Sequence, residues 1–537
     1  MSSNTENNGL EHDVFSPARS IDRDIPRPGI KKVALFVLHG MGQQVKFETL
    51  DKVVHGLVAA APSKDEPYEI RIGTVELDPS GLKVQRAEVD LETSSGQAFE
   101  AHIYEGHWAH FTEGLVNGRD VLGFLFSGAR NGLMGQTRFS RWMFGRRVSF
   151  DVLPTSFWGL LLAFSIALGI VLINALISVM ASSYLIGTLT QNVTAWPTDS
   201  MVKGFTITML ILIVYSLAMG AYLYVLARLG LKRVMPRLWE LAAKTAHRVL
   251  LPLWCLMVVG LAAFLAFIPI WGRFWPDSLD EFAIISTWPS ANKLLDQEWF
   301  VLAMWIVLLW VSYLLRNLVV ETIGDVAAYL SSHKLDRFKK IRDRIQDEML
   351  EVARAIYANG GDQPTYDRVA ILGHSLGSVV AYDTLNKLIS DDEIACRELQ
   401  VLERTKVLLT FGSPLDKTAY IFRFHSQHTT DTREALATAV QPLIQDYEHF
   451  RGGLHWINVY SWRDIISGDL DYYDDRDNSS FGAMAVDNVE DKDSQTPLIA
   501  HVEYWNNPTV FRELYRSLFR PDRVAEPSDT PNASATG

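Results

Sequence analysis

Residues 368–382, with the sequence RVAILGHSLGSVVAY, carry the strongest structural signal in this chain. An apolar run leads into Gly-His-Ser-Leu-Gly, and a second apolar run that suits a helix follows. This order predicts a buried β-strand, a sharp turn and an α-helix. Gly373 and Gly377 let the strand and the helix pass close together, and Ser375 between them is expected in a strained, exposed backbone position. The turn is therefore predicted to display Ser375 as a nucleophile.

Four other stretches are unusually apolar. Of the 537 residues, 48% are hydrophobic, which is rich for a soluble enzyme. The four stretches are almost free of charge, and each is about long enough to cross the hydrocarbon core of a bilayer. We therefore predict four transmembrane helices, at about residues 157–180, 205–227, 249–271 and 299–318.

Lys and Arg residues alternate between the loops that join these stretches. They are concentrated before the first stretch, between the second and third, and after the fourth, whereas the other two loops have few. By the positive-inside rule, both flanking regions and the middle loop are predicted to be cytoplasmic. The stretches contain no Asp, Glu, Lys, Arg or His before Arg316, which argues against an ion or proton pathway. The pattern favours a membrane anchor over a transporter.

Charge and cysteine content exclude further classes. The formal net charge of -12 argues against binding to nucleic acid, which requires a basic surface. Two cysteines, Cys255 and Cys396, are too few for a disulfide framework or a cysteine zinc site. Such sparse cysteine use suits a reducing compartment.

Candidate strands occur on both sides of the apolar region. Residues 32–38 form a buried run that ends in His39-Gly40-Met41-Gly42. Strands that alternate with helical segments predict a parallel sheet covered on both faces. A sheet built from both halves requires an even number of spans between them, and four meets this condition. The remaining candidates are strands at 69–75, 99–104, 406–411 and 456–461 and a long charged helical region at about 319–357.

With these features the chain resembles the α/β-hydrolase superfamily, in particular its lipase-like serine hydrolases. The resemblance rests on residues 39–42 after an early strand, on the turn at 373–377, and on an acid followed by a histidine downstream. It covers roughly residues 30–110 and 320–520. It implies an α/β-hydrolase fold with a doubly wound, mostly parallel sheet, here interrupted by a four-helix transmembrane insertion.

The resemblance also implies a catalytic triad in the chain order Ser, acid, His. A serine hydroxyl needs an imidazole to take its proton, and a carboxylate to fix the tautomer of that imidazole. Asp464 follows the strand at 456–461, where the acid of the family usually lies, and Asp416, one strand earlier, is the competing acid. His501 is the predicted base because it follows Asp464 by a loop and precedes the last helix.

Resemblance to lipases assigns the oxyanion hole to the backbone N-H groups of Met41 and Leu376. Such donors stabilise the negative charge that develops on the substrate carbonyl oxygen. No cofactor and no metal is expected. The predicted supporting residues of the two turns are His39, Gly40, Gly42, Gly373, His374 and Gly377.

Five regions are predicted along the chain. They are a flexible tail at 1–29, the first part of the hydrolase domain at 30–111, a juxtamembrane region with the four spans at 112–319, the second part of the hydrolase domain with the triad at 320–520, and a disordered tail at 521–537.

These inferences together predict a membrane-anchored serine hydrolase that cleaves carboxylic esters. Lipid is the expected substrate class, because the spans hold the site near the headgroups. The same residues would serve a protein or small-molecule thioesterase or deacylase, and a catalytically inactive membrane scaffold with this fold is the non-enzymatic alternative. The predicted partners are the lipid bilayer and a lipid or acyl-ester substrate. The predicted location is a bacterial inner membrane, with the hydrolase domain and both termini in the cytoplasm.

Overall fold

A computed structural model describes the residues that form the two halves of the predicted hydrolase domain and a few residues between them. The described residues are 19–20, 31–42, 45–62, 68–77, 80–92, 98–112, 139–143, 146–150, 324–329, 336–360, 363–364, 366–418, 454–464, 466–470, 486–494, 496 and 499–518, with isolated positions at 115, 120, 121, 124, 218 and between 303 and 314.

One nine-stranded sheet organises the described residues, in the order β1-β3-β4-β5-β2-β10-β11-β12-β13. Neighbouring strands are parallel from β5 to β13, whereas β4 is antiparallel to both β3 and β5. The remaining strands form two small hairpins. The strands are β1 (Arg19–Ser20), β2 (Lys31–Leu38), β3 (Ile70–Leu77), β4 (Leu82–Glu92), β5 (Ala98–Gly106), β6 (Phe139–Met143), β7 (Arg146–Phe150), β8 (Asn359–Gly360), β9 (Gln363–Pro364), β10 (Arg368–His374), β11 (Thr405–Phe411), β12 (His455–Tyr460) and β13 (Asp487–Glu490).

Helices cover both faces of this sheet. The helix α1 packs against α6 on one face, and α2 packs against α3 on the other. Their bounds are α1 (Glu48–Ala60), α2 (Asp336–Tyr357), α3 (Leu376–Ile394), α4 (Val401–Arg404), α5 (Ala500–Glu503) and α6 (Pro508–Leu518), with 3-10 turns at Ala109–Phe111 and Tyr504–Asn506 and further helical residues at 324–329.

The central strand β2 is apolar from Val33 to Leu38 because both of its faces are buried. Val33, Leu35 and Val37 belong to the core that includes α1 and α6. The alternate residues of the strand belong to the core that includes α2 and α3. Successive side chains of a strand point to opposite faces, so a strand buried on both faces needs apolar residues at every position. The prediction of a mostly parallel sheet covered on both faces is confirmed.

The sheet is assembled from both halves of the chain. Strand β2, from the first half, pairs in parallel with β10, from the second half, in a register that aligns Val33 with Arg368 and Leu38 with Gly373. Because the strands are parallel and end together, the loop after Leu38 and the turn at Ser375 meet at the same edge of the sheet. The two halves therefore contribute to one site.

Several observed elements were not predicted from the sequence, and α1, β6 to β9 and β13 are among them. Strand β4 was not predicted, since it carries five charged residues, although Ala87, Val89 and Leu91 alternate on its buried side. Within the stretch predicted as a flexible tail, Arg19 and Ser20 pair with β3. The rest of that tail and the C-terminal tail at 521–537 lie outside the described residues.

The four predicted spans also lie outside the described residues, apart from residue 218 and seven positions between 303 and 314. Across the described part of the chain, no helix combines the length and the apolar character needed to cross a membrane.

Candidate active site

Ser375 lies at the turn between β10 and α3. Its backbone has φ 53° and ψ -129°, which a residue with a side chain rarely adopts and which is typical of strained functional turns. Both flanking glycines are required by close packing. A Cβ on Gly373 would lie 2.5 Å from the Cα of Ser378, and one on Gly377 would lie 2.2 Å from the carbonyl oxygen of His39.

The expectation that Ser375 is exposed is wrong. Only 1% of its surface is accessible. Gly40 lies so close that a Cβ there would be 2.9 Å from the Cβ of Ser375, and His501 covers the hydroxyl. The strain and the sharp turn have the predicted form, but the serine is enclosed by its neighbours.

Three predicted residues form a hydrogen-bonded chain. The Nε2 atom of His501 is 2.8 Å from the Oγ atom of Ser375, and its Nδ1 atom is 2.8 Å from Oδ2 of Asp464. An ionised Asp464 accepts the Nδ1 proton, which leaves Nε2 to accept the proton of the serine hydroxyl. The structure thus brings together the predicted nucleophile, base and acid in the geometry that proton transfer requires.

The side chain of Asp464 is fully buried yet well satisfied. Its Oδ1 accepts the backbone N-H of Ile466 at 2.9 Å, and Oδ2 also accepts the hydroxyl of Tyr504 at 3.1 Å. Burial alone would raise the pKa of Asp464, but the charge and hydrogen bond of His501 and the N-H of Ile466 hold that pKa below its ordinary value. The carboxylate is therefore ionised at neutral pH, as an orienting acid must be.

Among the described residues, the competing acid Asp416 forms no hydrogen bond or ion pair with His501. Its carboxylate is 3.1 Å from the Nζ atom of Lys417, which also donates to the backbone carbonyl of Ser467. Burial raises the pKa of Asp416, and Lys417 only partly opposes this effect. The geometry favours Asp464 as the partner of the imidazole.

His39 organises the loop that follows β2. Its Nε2 atom accepts the backbone N-H groups of Trp108 at 2.9 Å and Ala109 at 3.2 Å, so Nδ1 is the protonated nitrogen. Nδ1 donates to the carbonyl oxygen of Gly40 at 2.7 Å. Burial lowers the pKa of His39 to about 3. A neutral imidazole with a fixed tautomer therefore holds the loop that carries Met41.

The predicted oxyanion donors flank the nucleophile. Leu376 is the first residue of α3, and the N-H groups of the first helical turn have no partner inside the helix. Met41 follows Gly40, which lies against Ser375. Backbone N-H groups at a helix start and a neighbouring loop suit a developing negative charge.

His374 holds the main chain of His501, the predicted base. Its Nε2 atom donates to the carbonyl oxygen of His501 at 2.9 Å, and the two rings lie 5.0 Å apart. Burial and the neighbouring His501 lower the pKa of His374 to about 3. The role predicted for His374, that of a supporting residue, agrees with this contact.

Two further contacts were not predicted from the sequence. Tyr504 donates to Asp464 from the start of the 3-10 turn that follows α5, and its position three residues after His501 is a spacing that could have linked it to the predicted base. Asp325 accepts the backbone N-H of Gly42 at 2.7 Å. No sequence pattern links these two residues, which are 283 positions apart.

Among the described residues, one group has the composition of a metal site: Glu88, Glu100 and His102. Arg71 lies 3.1 Å from Glu88 and 3.3 Å from Glu100, and His102 contacts Glu100 and the hydroxyl of Tyr366. Buried arginine charge already neutralises these carboxylates, so the group fits an ion-pair network better than a cation site. That the active site uses no metal or cofactor stays a prediction.

The fold and the site together define the class of the protein: an α/β protein with a Ser-His-Asp constellation at the carboxyl edge of a mostly parallel sheet. Comparison with protein-family models, curated protein sequences and solved structures finds no match. Membership of the α/β-hydrolase superfamily therefore stays a prediction that rests on the residues and their geometry.

The two buried histidines predict that stability falls as the pH is lowered. His39 and His374 have ordinary pKa values of 6.5 and folded values of about 3. Between these values the unfolded chain binds more protons, so the free energy of unfolding decreases as pH falls from 6.5 towards 3. We expect the melting temperature of the full-length chain to fall between pH 7.5 and pH 5, and the His39→Asn variant to show a shallower slope. A melting temperature that rises over this range would contradict the prediction.

Proposed function

We propose that this protein is a serine hydrolase that cleaves carboxylic esters through an acyl-enzyme on Ser375. The observation that carries the proposal is the hydrogen-bonded chain from Ser375 Oγ through His501 to Asp464, with 2.8 Å at each step. A turn with φ 53° at the serine adds support, because backbone strain of this kind persists where function requires it.

In the first half of the reaction, the hydroxyl oxygen of Ser375 attacks the ester carbonyl carbon while Nε2 of His501 takes the hydroxyl proton. Asp464 stabilises the imidazolium that forms. The tetrahedral intermediate then collapses, the ester C-O bond breaks, and His501 gives its proton to the departing alcohol. The acyl group stays on Ser375.

In the second half, water replaces the alcohol. His501 takes a proton from the water, whose oxygen attacks the acyl carbon, and the serine oxygen leaves with the proton that His501 returns. In both halves the N-H groups of Met41 and Leu376 stabilise the oxyanion. One such donor is typically worth about 10²–10³ in kcat.

Exposed apolar side chains next to the site residues in the sequence favour an apolar acyl substrate, and lipid in particular. Val45 and Phe47 follow the Met41 loop, Trp462 lies two residues before Asp464, and Val502 is next to His501. Exposed apolar side chains that lie together commonly mark a surface for an apolar ligand. We propose that these four side chains contact the acyl chain of a lipid substrate.

A membrane location agrees with the sequence of the four apolar stretches and with the exposed apolar side chains in the fourth. Among the residues described there, Ile306, Val307, Trp310, Tyr313 and Leu314 are exposed. Exposed Trp and Tyr are typical of segments in contact with a membrane. We therefore propose a bacterial inner membrane as the location of the protein, with the hydrolase domain on the cytoplasmic side and lipid as its substrate.

A fluorophosphonate probe should label the folded protein, because it reacts with serines that a neighbouring base activates. Labelling should be lost in Ser375→Ala and kept in Ser390→Ala, which removes a serine hydroxyl from the helix that follows the turn. The measurement is fluorescence of the labelled band, normalised to folded protein. A folded wild type that takes up no label would contradict the proposal and favour a binding scaffold.

The two candidate acids should differ sharply in their effect on ester hydrolysis. Asp464→Asn should lower kcat by about 10⁴-fold, because the wrong imidazole tautomer then faces the serine. Asp416→Asn should retain most of the activity, since its partner is Lys417. The rates are compared at equal concentrations of folded protein. The reverse ranking would make Asp416 the acid.

Membrane topology can be tested with reporter fusions in the full chain. A reporter fused after Gly537 should be cytoplasmic, and one inserted near Asp199 should lie on the opposite side of the membrane. An insertion near Arg237, in the basic middle loop, is the matched cytoplasmic control. The same location for the Gly537 and Asp199 reporters would exclude the four-span arrangement.

A further inference from the structure

We propose that Asp325 is a positioning residue whose carboxylate holds the Met41 loop so that the Met41 N-H faces the reacting carbonyl oxygen. The proposal rests on the proposed function. Oδ2 of Asp325 accepts the backbone N-H of Gly42 at 2.7 Å, and only 6% of the surface of Asp325 is exposed. A short hydrogen bond to a carboxylate is among the stronger bonds that a backbone N-H group can form.

Two fixed peptide groups enclose Met41. A trans peptide is planar, so its C=O and N-H point in opposite directions. Nδ1 of His39 holds the carbonyl oxygen of Gly40 at 2.7 Å, which fixes the direction of the Met41 N-H. Asp325 holds the Gly42 N-H, which fixes the direction of the Met41 carbonyl and turns it away from Asp325. The N-H of Met41 is therefore oriented from both sides.

Packing alone would not hold this loop. Gly42 has φ +89°, a conformation that glycine enters and leaves easily, and a Cβ on Gly42 would meet no atom of the described residues within 4 Å. By contrast, a Cβ on Gly40 would be in close contact with Ser375 and His374. The loop is thus packed at one end and open at the other, and Asp325 provides a fixed hydrogen bond at the open end.

The helical residues 324–329 also link this loop to α3, the helix that follows Ser375. The hydroxyl of Tyr329 donates to Oδ2 of Asp383 on α3 at 2.5 Å. Gln346 and Arg342 on α2 donate to the same oxygen. One short segment therefore contacts both the Met41 loop, through Asp325, and α3, through Tyr329 and Asp383.

The test compares Asp325→Ala with Asp325→Asn in the full-length protein. The asparagine side-chain oxygen still accepts the Gly42 N-H, whereas alanine offers no acceptor. We expect Asp325→Ala to lower kcat for ester hydrolysis by about 10–100-fold with little change in KM, a fraction of the loss for an oxyanion donor itself. Asp325→Asn should stay within about threefold of wild type. An alkyl boronic acid, which forms a tetrahedral adduct with the serine, should bind Asp325→Ala more weakly by a factor similar to the loss in kcat.

Asp392→Ala is the matched control. Asp392 is also a buried carboxylate that accepts backbone N-H groups, those of Leu399 and Val401, but it lies at the far end of α3. Its loss should lower the melting temperature and leave kcat and boronic acid affinity per folded molecule unchanged. If Asp325→Ala does not fold, Asp325→Glu retains the charge and displaces the acceptor by about 1 Å, a shift that can cost up to about 10²-fold in rate.

Three results would overturn the proposal. The first is wild-type kcat and boronic acid affinity in folded Asp325→Ala, or in folded Asp325→Glu if the alanine variant does not fold. The second is an equal loss of kcat per folded molecule in Asp392→Ala, and the third is an Asp325→Asn variant as impaired as Asp325→Ala. Failure of the proposed function is distinguishable, because the wild type itself would then neither hydrolyse esters nor react with the fluorophosphonate probe.

Discussion

The parallel pairing of β2 with β10 is the constraint on which the rest of the site depends. Its register aligns Leu38 with Gly373, so the two strands end side by side. The Met41 loop then begins where the Ser375 turn begins, although the two lie more than three hundred residues apart in the sequence. A slip of one residue would move the side chains of β2 to the opposite face of the sheet. The side chains of β2 would then no longer pack in the two cores. The apolar residues of β2 therefore fix the register on which the geometry of the site depends.

Three histidines surround the serine, and the protein gives them different electrostatic environments. Burial keeps His39 and His374 neutral, with pKa values of about 3, and each uses one ring nitrogen to hold a backbone carbonyl. His501 instead faces the ionised Asp464. A carboxylate that accepts its proton stabilises a charged imidazole. The site therefore contains one histidine suited to carry a proton and two suited to hold the loops in place.

The sequence allowed the local parts of the site to be predicted, and the long-range contacts were beyond its reach. The turn at Ser375 has a short signature, because glycines are required where strand and helix cross. Asp464 and His501 could be chosen from their order after known strands, yet only the structure shows which acid faces the imidazole. Asp325 has no such signature, since its proposed role depends on a contact between residues 324–329 and the Met41 loop, which are far apart in the sequence. The exposure expected for Ser375 was wrong because neighbouring segments, which a local pattern does not describe, enclose it.

The separation of the two halves also shapes how the site forms. Ser375, Asp464 and His501 all lie in the second half, so in the proposed mechanism that half contains every group that moves a proton. The first half supplies β2 and, in the proposed mechanism, one oxyanion donor. Until β10 is synthesised, β2 has one unpaired edge, and an apolar strand with an unpaired edge tends to pair with other chains. Contacts of such long sequence separation also form slowly. A membrane insertion between the halves would shorten this search, because an even number of spans returns the second half to the same side and limits its distance from the first.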